Sequence, residues 1–530
     1  MENASQPFGS ARFAESADLI SAGMFAQRPD SLLVGFWNGR PLWYSGMGGA
    51  LLVAGARGGK LRDMLGYNVC SGIYAHSMVI LDMKGELAAI SQDQTPDRKF
   101  CIYWNPAGLH GLPCHRINPV DYLRLDNPAL VSDTKVFCEN MIAASGSTQA
   151  AYFEGRAREF LEGIVLTLVR LKGELTLPDL YRIVNLIPGG SDAWLDFAFE
   201  MSEAGFPVAQ RVEEEIATSR SDSSGGFRGI LGELFKAFAC LSDPTLMESV
   251  SPPFDFSMAE LTGSDQAYHI YLMPPASFVD AWSPVIKALF IAGQVYKARA
   301  PSAPAQTWLI DECAQLGAFP MVTKLFSIGA GQGIRPVAVF QSTKQIKALG
   351  PDAEVIITAS AQLRSYFAVR DLETASTISR MIGDETLEYR DEHRELRARH
   401  ARQKALQAFL NGGDPFSAGL DLARESHAQS LPAKRGRPLR APDQILGLPG
   451  DEQILFTDGV PHPILAERKP YYEQAFMAGR YHPNPYHPSG NRVRVKTRWG
   501  SRWRKVVVEP VPTSFAHYPQ YSNGLWSRIA

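Results

Sequence analysis

The chain has 530 residues, 45% hydrophobic and 20% charged, with 53 Lys and Arg against 55 Asp and Glu for a formal net charge of -2. That length exceeds what one hydrophobic core serves, so two or three domains are expected; near neutrality excludes bulk attraction to nucleic acid or membrane, leaving any polyanion contact to a local patch. The six cysteines form no C-x-x-C pair, the histidines show no H-E-x-x-H spacing, and no run approaches the roughly 18 apolar residues of a membrane span, which argues against a disulfide framework, a zinc site and a spanning helix and suits a reducing compartment.

In chain order, Leu32-Leu33-Val34-Gly35-Phe36-Trp37 and Pro41-Leu42-Trp43-Tyr44 flank Asn38-Gly39, a two-residue hairpin signal. The apolar run Leu51-Leu52-Val53-Ala54 then enters Gly55-Ala56-Arg57-Gly58-Gly59-Lys60-Leu61, and a helix-compatible segment follows. Strand, glycine-rich turn and helix are the context of a phosphate-binding loop. The glycines let backbone N–H groups converge on phosphate oxygens, the helix adds its positive end, and Lys60 supplies a cation. Ala54 stands where the first Gly of the motif belongs, and Leu61 where a Ser or Thr hydroxyl meets Mg2+. On this stretch alone, a nucleotide site and an ordinary glycine-rich turn are equally open.

Ser77-Met78-Val79-Ile80-Leu81-Asp82 reads as a buried parallel strand, and Met83-Lys84-Gly85-Glu86 follows at the end where open α/β sheets place ligands; a solvated turn is the alternative. Phe100-Cys101-Ile102-Tyr103-Trp104 is another strand. Residues 134–255 change to helical periods with no convincing strand, as an all-α insertion would. Strands resume at 267–272, a helix covers 285–298, and Thr307-Trp308-Leu309-Ile310 closes in Asp311-Glu312. Alone, two acids after a strand are helix caps. Paired with an upstream phosphate loop, the first would hold Mg2+ and the second would orient or deprotonate water. Pro336-Val337-Ala338-Val339-Phe340 ends in Gln341, either a reporter on a terminal phosphate or a cap before Ser342 and Thr343. Residues 361–368 form one more strand, 388–410 a charged exposed helix, and the Gly/Pro-rich stretch 411–450 a linker.

Near the end, Arg492, Arg494, Lys496 and Arg498 alternate with Val493, Val495, Thr497 and Trp499, and Gly500-Ser501 turns the chain into Arg502-Trp503-Arg504-Lys505. This reads as a hairpin with one cationic face, with Trp499 and Trp503 as stacking surfaces. It is either a nucleic-acid or acidic-peptide site or a solvated face.

As a set, these motifs resemble the type IV secretion coupling-protein family in its conjugative, TraG-like branch. The match runs from Gly9 to Phe476 through Gly9-Ser10-Ala11-Arg12-Phe13-Ala14, the loop from Ala54 to Lys60, Leu81-Asp82-Met83-Lys84-Gly85-Glu86, Ile117-Asn118-Pro119, Leu309-Ile310-Asp311-Glu312 with Leu316-Gly317, Gly333-Ile334-Arg335 leading to Gln341-Ser342, and Pro470-Tyr471-Tyr472. The resemblance implies an α/β fold, a RecA-like P-loop motor domain with an inserted all-α domain and a C-terminal extension. The expected divisions are 1–133 and 256–388 for the motor, 134–255 for the insertion, 389–450 for the charged helix and linker, and 451–530 for a C-terminal segment bearing the hairpin. It implies ATP and Mg2+ as cofactors, held by Gly55, Arg57, Gly58, Gly59, Lys60, Leu61 and Asp311, with Asp311 at the metal. Glu312 takes the general-base position, Gln341 the sensor position, and Arg335 is placed to reach a neighbouring subunit's nucleotide.

The implied function is a hexameric coupling ATPase that brings a relaxase–DNA complex or protein effectors to a type IV secretion channel. The paired N-terminal membrane helices usual in the family have no counterpart in this chain, so the expected location is cytoplasmic, meeting the inner membrane through partners. Two alternatives stand beside it: a non-hydrolysing receptor or adaptor that kept the fold, and a DNA translocase of the FtsK/HerA type, against which the helical insertion argues.

Overall fold

The computed structural model describes residues 9–92, 99–142, 144–219, 225–389, 392–410, 414–430, 433–486, 492–517 and 524–530. Strands β1 (Leu32–Trp37) and β2 (Arg40–Tyr44) form the expected hairpin, with Asn38 and Gly39 at φ 46° and 76° in a turn whose twist matches its strands. The phosphate-loop strand is β3 (Ala50–Ala54), followed by β4 (Ser77–Leu81), β5 (Lys99–Trp104), β6 (Ala267–Leu272), β7 (Gln306–Ile310), β8 (Ile334–Phe340) and β9 (Leu363–Phe367). These runs are largely apolar because both faces of a parallel sheet are covered, and most of their polar residues, such as Thr307 and Arg335, stand near the strand starts.

Strands β9, β3, β8, β7, β4, β6 and β5 lie side by side in that order, all parallel. Alternation splits their side chains between two cores. Leu51, Val53, Val79 and Leu81 face the helices of the insertion and the helix Ser283–Arg299, while Ala50, Leu52, Met78 and Ile80 face the opposite layer. Between β5 and β6 the described residues form helices and no strand, beginning with Leu130–Met141 and centred on Thr148–Lys172, whose Phe160, Leu161, Ile164 and Val165 are buried. The insertion thus opens a few residues before 134.

The described part of 411–450, residues 414–430 and 433–450, is not the expected linker. Strands β10 (Asp384–Tyr389) and β11 (Ala433–Pro438) pair as an antiparallel ribbon, and the helices Glu392–Leu410 and Pro415–Ser430 pack against each other beyond its end. The polar, glycine-bearing composition reflects the exposure of this arm rather than an absence of structure. The chain then returns to the main sheet as β12 (Glu452–Thr457), antiparallel to β9, and β13 (Val460–Glu467), antiparallel to β12 on one side and to β1 on the other. Residues 452–467 are therefore sheet, a placement set by pairing with strands far away in sequence.

The terminal strands β14 (Arg492–Thr497), β15 (Gly500–Pro510) and β16 (Leu525–Ile529) make a separate three-stranded sheet. Residues 487–491, where the basic tail begins, lie outside the described residues. No helix among the described residues is long and apolar enough to cross a membrane.

Candidate functional site

Strand order builds the site. The C-terminal ends of β3, β8, β7 and β4 are neighbours, and they carry the phosphate loop, Gln341, Asp311-Glu312 and Asp82 respectively. Ligands of open parallel sheets bind at this edge.

The loop is shaped by close approach. A Cβ on Gly55 would lie 2.3 Å from the Ala368 carbonyl oxygen, and one on Gly58 would lie 2.8 Å from both the Ala368 Cβ and the Gly55 oxygen. Arg57 and Gly59 have φ of 58° and 85°, and the Gly58 N–H donates to Gly55 O at 3.0 Å. Ala54 completes β3, fully buried opposite Phe367, so an extended strand end sits where the motif would have glycine. Leu61 lies half-buried against the apolar cluster of the sheet's second face. Its packing there explains an alkyl side chain in place of a hydroxyl. The helix after Lys60 starts as a π-turn, Leu61–Leu65.

Lys60 Nζ meets Asp311 Oδ1 at 3.1 Å and also donates to Glu312 Oε1. Gln341 Nε2 donates to Glu312 Oε2 at 2.8 Å, while the Gln341 N–H is capped by the Gln345 side chain at 2.8 Å. Gln345 therefore takes the capping role, and Gln341 joins the acid. Glu312 has φ 51°, a left-handed conformation uncommon for a non-glycine residue, held by these two partners. Burial opposes charge on Lys60, but the two carboxylates outweigh it and keep the ammonium's pKa above its ordinary value. Burial pushes the Asp311 carboxyl up, against the pull of Lys60.

Asp82 is buried, not in a solvated turn. Its oxygens accept the N–H groups of Glu86 at 3.2 Å and Ala88 at 2.8 Å, starting the helix Glu86–Ile90. Burial raises its pKa to about 7, the Ala88 hydrogen bond pulls it down, and Asp311 and Glu86 push it further up. Its neighbour Glu86 accepts from Asn484 Nδ2 at 2.7 Å.

Arg335 lies elsewhere. It is fully buried at the start of β8, opposite the edge that carries Lys60. Its guanidinium donates to Thr307 Oγ1 at 3.1 Å and Gly46 O at 2.8 Å, between the rings of Tyr44 and Tyr74. An arginine so enclosed holds strands together and does not reach another subunit. No motif marks Arg468, which reaches the phosphate loop from 410 positions beyond Gly58.

Arg492, Arg494 and Lys496 share one face of the terminal hairpin with Trp503 and Lys505, whereas Arg502 and Arg504 share the other with Val493 and Val495. The connecting residues are Arg498 and Trp499, not Gly500-Ser501. Cations thus occupy both faces, because residues paired across strands point the same way. Arg494 is partly spent, donating to Ser501 Oγ at 2.7 Å and to Glu473 O. Trp499 is 84% exposed, with the Arg498 guanidinium 5.5 Å from its ring centroid.

The positive-φ loop, its tight glycines and Lys60 suit the phosphates of a nucleotide. Asp311 and phosphate oxygens suit Mg2+, which accepts one or two carboxylates beside phosphates; Leu61 contributes no oxygen. A parallel sheet with these strand-end elements defines a RecA-like P-loop fold with an all-α domain. The family model for type IV secretory system conjugative DNA transfer matches residues 2–491, and the chain belongs to that family. It is 22% identical over 486 residues to the conjugal transfer protein TraG of Escherichia coli, covering 84% of this chain and 72% of that protein. With TraG of Agrobacterium fabrum it shares 25% over 316 residues, 59% of this chain and 43% of that one. The bacterial conjugative coupling protein TrwBdeltaN70 in complex with sulphate superposes with a TM-score of 0.59 at 16% identity, covering 87% of this chain and 95% of its own. Plasmid coupling protein TrwB in complex with ADP and Mg2+ gives 0.59 at 15%, covering 87% and 93%.

Proposed function

We propose that this chain is a coupling ATPase of conjugative transfer, binding ATP with Mg2+ at the β3 loop and using its turnover to bring relaxase–DNA complexes or protein effectors to a secretion channel. The observation that carries this reading is the meeting of Lys60, Asp311, Glu312 and Gln341, delivered by three neighbouring strand ends. Gly55, Arg57, Gly58, Gly59 and Lys60 cradle phosphates and Asp311 faces the metal. Glu312 accepts a proton from water while Gln341 holds its carboxylate in place. The chain works as a hexamer at the cytoplasmic side of the inner membrane, meeting the bilayer through channel partners. Its terminal hairpin, with Arg492, Lys496, Trp499, Arg502, Trp503, Arg504 and Lys505 exposed, takes the polyanionic part of the substrate.

A second reading, a non-hydrolysing receptor of the same fold, draws on Leu61, whose side chain is committed to the apolar cluster. Calorimetric titration with ATP and Mg2+, paired with a phosphate-release assay, separates the two. Binding with turnover supports the ATPase, binding without turnover supports the receptor, and no binding at millimolar ATP sinks the nucleotide reading.

A further inference from the structure

Arg468, which follows β13, is only 4% exposed. Its Nη1 donates to the Gly58 carbonyl at 2.6 Å and to Asp63 Oδ2 at 3.0 Å, its Nε to Glu452 O at 3.2 Å, and its Nη2 to Gly450 O. The guanidinium carbon lies over the ring of Phe367, 4.1 Å from its centroid; Phe367 is the last residue of β9, where the chain passes close to the loop. Asp63, one turn past Lys60, is itself buried and also takes Arg62, with Arg62 Nε at 2.6 Å. One side chain thus ties the phosphate loop to its following helix, to the tip of β9 and to the segment before β12.

The direction of that tie matters. A trans peptide is planar and sends its C=O and N–H to opposite sides. With the Gly58 oxygen drawn to Arg468, the Gly59 N–H of the same peptide points the other way. The Gly58 N–H is already held by Gly55 O, and the Gly59 carbonyl receives the Asp63 N–H at 2.8 Å, so the peptides on both sides are restrained. We infer that Arg468 is a positioning residue of the phosphate loop, clamping the Gly58–Gly59 peptide so that the Gly59 N–H faces the anion. This rests on the nucleotide reading of the site for its ligand and on the hydrogen bonds alone for the clamp. Arginine suits the role because its planar fork serves several acceptors while its face stacks on an aromatic ring; lysine keeps the charge and loses the plane.

The test compares the full chain with Arg468→Lys and Asp63→Asn by amide hydrogen exchange of the peptide covering residues 55–60, by ADP titration with Mg2+, and by thermal midpoint. Arg468→Lys is expected to speed exchange in that peptide and weaken ADP binding each by about tenfold, the scale of one lost charged hydrogen bond. Asp63→Asn keeps Arg468 on the Gly58 oxygen and is expected to retain the parent's exchange and affinity. Unchanged exchange in Arg468→Lys overturns the inference. Equal losses in Asp63→Asn also overturn it, because the ion pair and not the carbonyl contact would then be the agent. If Arg468→Lys does not fold, Phe367→Leu, which removes only the stacking ring, takes its place with the same expected direction. Absence of ADP binding in the parent removes the ligand half, and the exchange contrast then decides the clamp by itself.

Discussion

Gln341 Nε2 donates to Glu312 Oε2 at 2.8 Å, joining the ends of β8 and β7 directly over the sheet edge that carries Lys60. The amide holds one carboxylate oxygen while Lys60 holds the other. Glu312→Gln is expected to lower phosphate release by about a hundredfold or more, the scale of a lost general base, with ATP binding kept. Gln341→Ala should lower kcat by less, about tenfold, because it frees the acid's orientation without removing its basicity. Parent-like turnover in Glu312→Gln would mean that another group activates water.

Leu61→Thr tests the missing hydroxyl. Metal-dependent ATP affinity should rise by on the order of 1 to 3 kcal/mol if the oxygen reaches the ion. Because Leu61 packs against the apolar cluster, the same change should cost about 1 kcal/mol of fold stability. Calorimetry with and without Mg2+ and a denaturant midpoint read the two effects; a metal-independent gain would refute the assignment.

Asp82 supplies a pH dependence. Its folded pKa, raised to about 7, lies above the unfolded aspartate value of about 4, so its contribution is fully present below about pH 4 and is lost as pH rises through about 7. Burial is the main cause, and the charged groups acting on it are Asp311 and Glu86. Asp82→Asn keeps an acceptor for Ala88 and removes the titration. The thermal midpoint of Asp82→Asn relative to the parent should therefore climb between pH 5 and pH 8, and a flat difference would show that the group does not titrate there.

For the terminal hairpin, the triple variant Arg492→Ala, Lys496→Ala, Lys505→Ala should weaken DNA binding and reduce the steepness of its salt dependence by about 2 to 3, one unit or slightly less per lost phosphate contact. Arg494→Ala should do little, since that side chain is engaged with Ser501 and Glu473. Affinity measured at two salt concentrations decides it. An unchanged triple variant would make the hairpin a solvated surface.

The ribbon arm should be separable. Tyr389 and Ala433 pair at its far end, so a short turn can replace Glu392–Ser430, none of whose described residues belongs to either core cluster. Its removal should leave the thermal midpoint and nucleotide affinity near those of the parent. A collapse of either would show that the arm braces the sheet.

What the amino-acid order determined by itself was local. Continuous apolar runs ending in Gly55, Asp82, Asp311 and Gln341 specify buried parallel strands with chemistry at their tips, Asn38-Gly39 specifies a hairpin, and helical periods specify the insertion, because each rests on backbone preferences within a few residues. Strand order was decided only in three dimensions. That Gln341 meets Glu312, that Asp82 stands beside Asp311, and that Arg335 is sealed between Tyr44 and Tyr74 all follow from which strands are neighbours, a matter of nonlocal pairing and side-chain direction. The same holds for β12 and β13, which short mixed runs after a polar arm do not announce, and for Arg468, whose carbonyl partner on Gly58 is a backbone atom that no motif can specify. Local sequence sets what each segment presents; packing of both sheet faces sets what it is presented to.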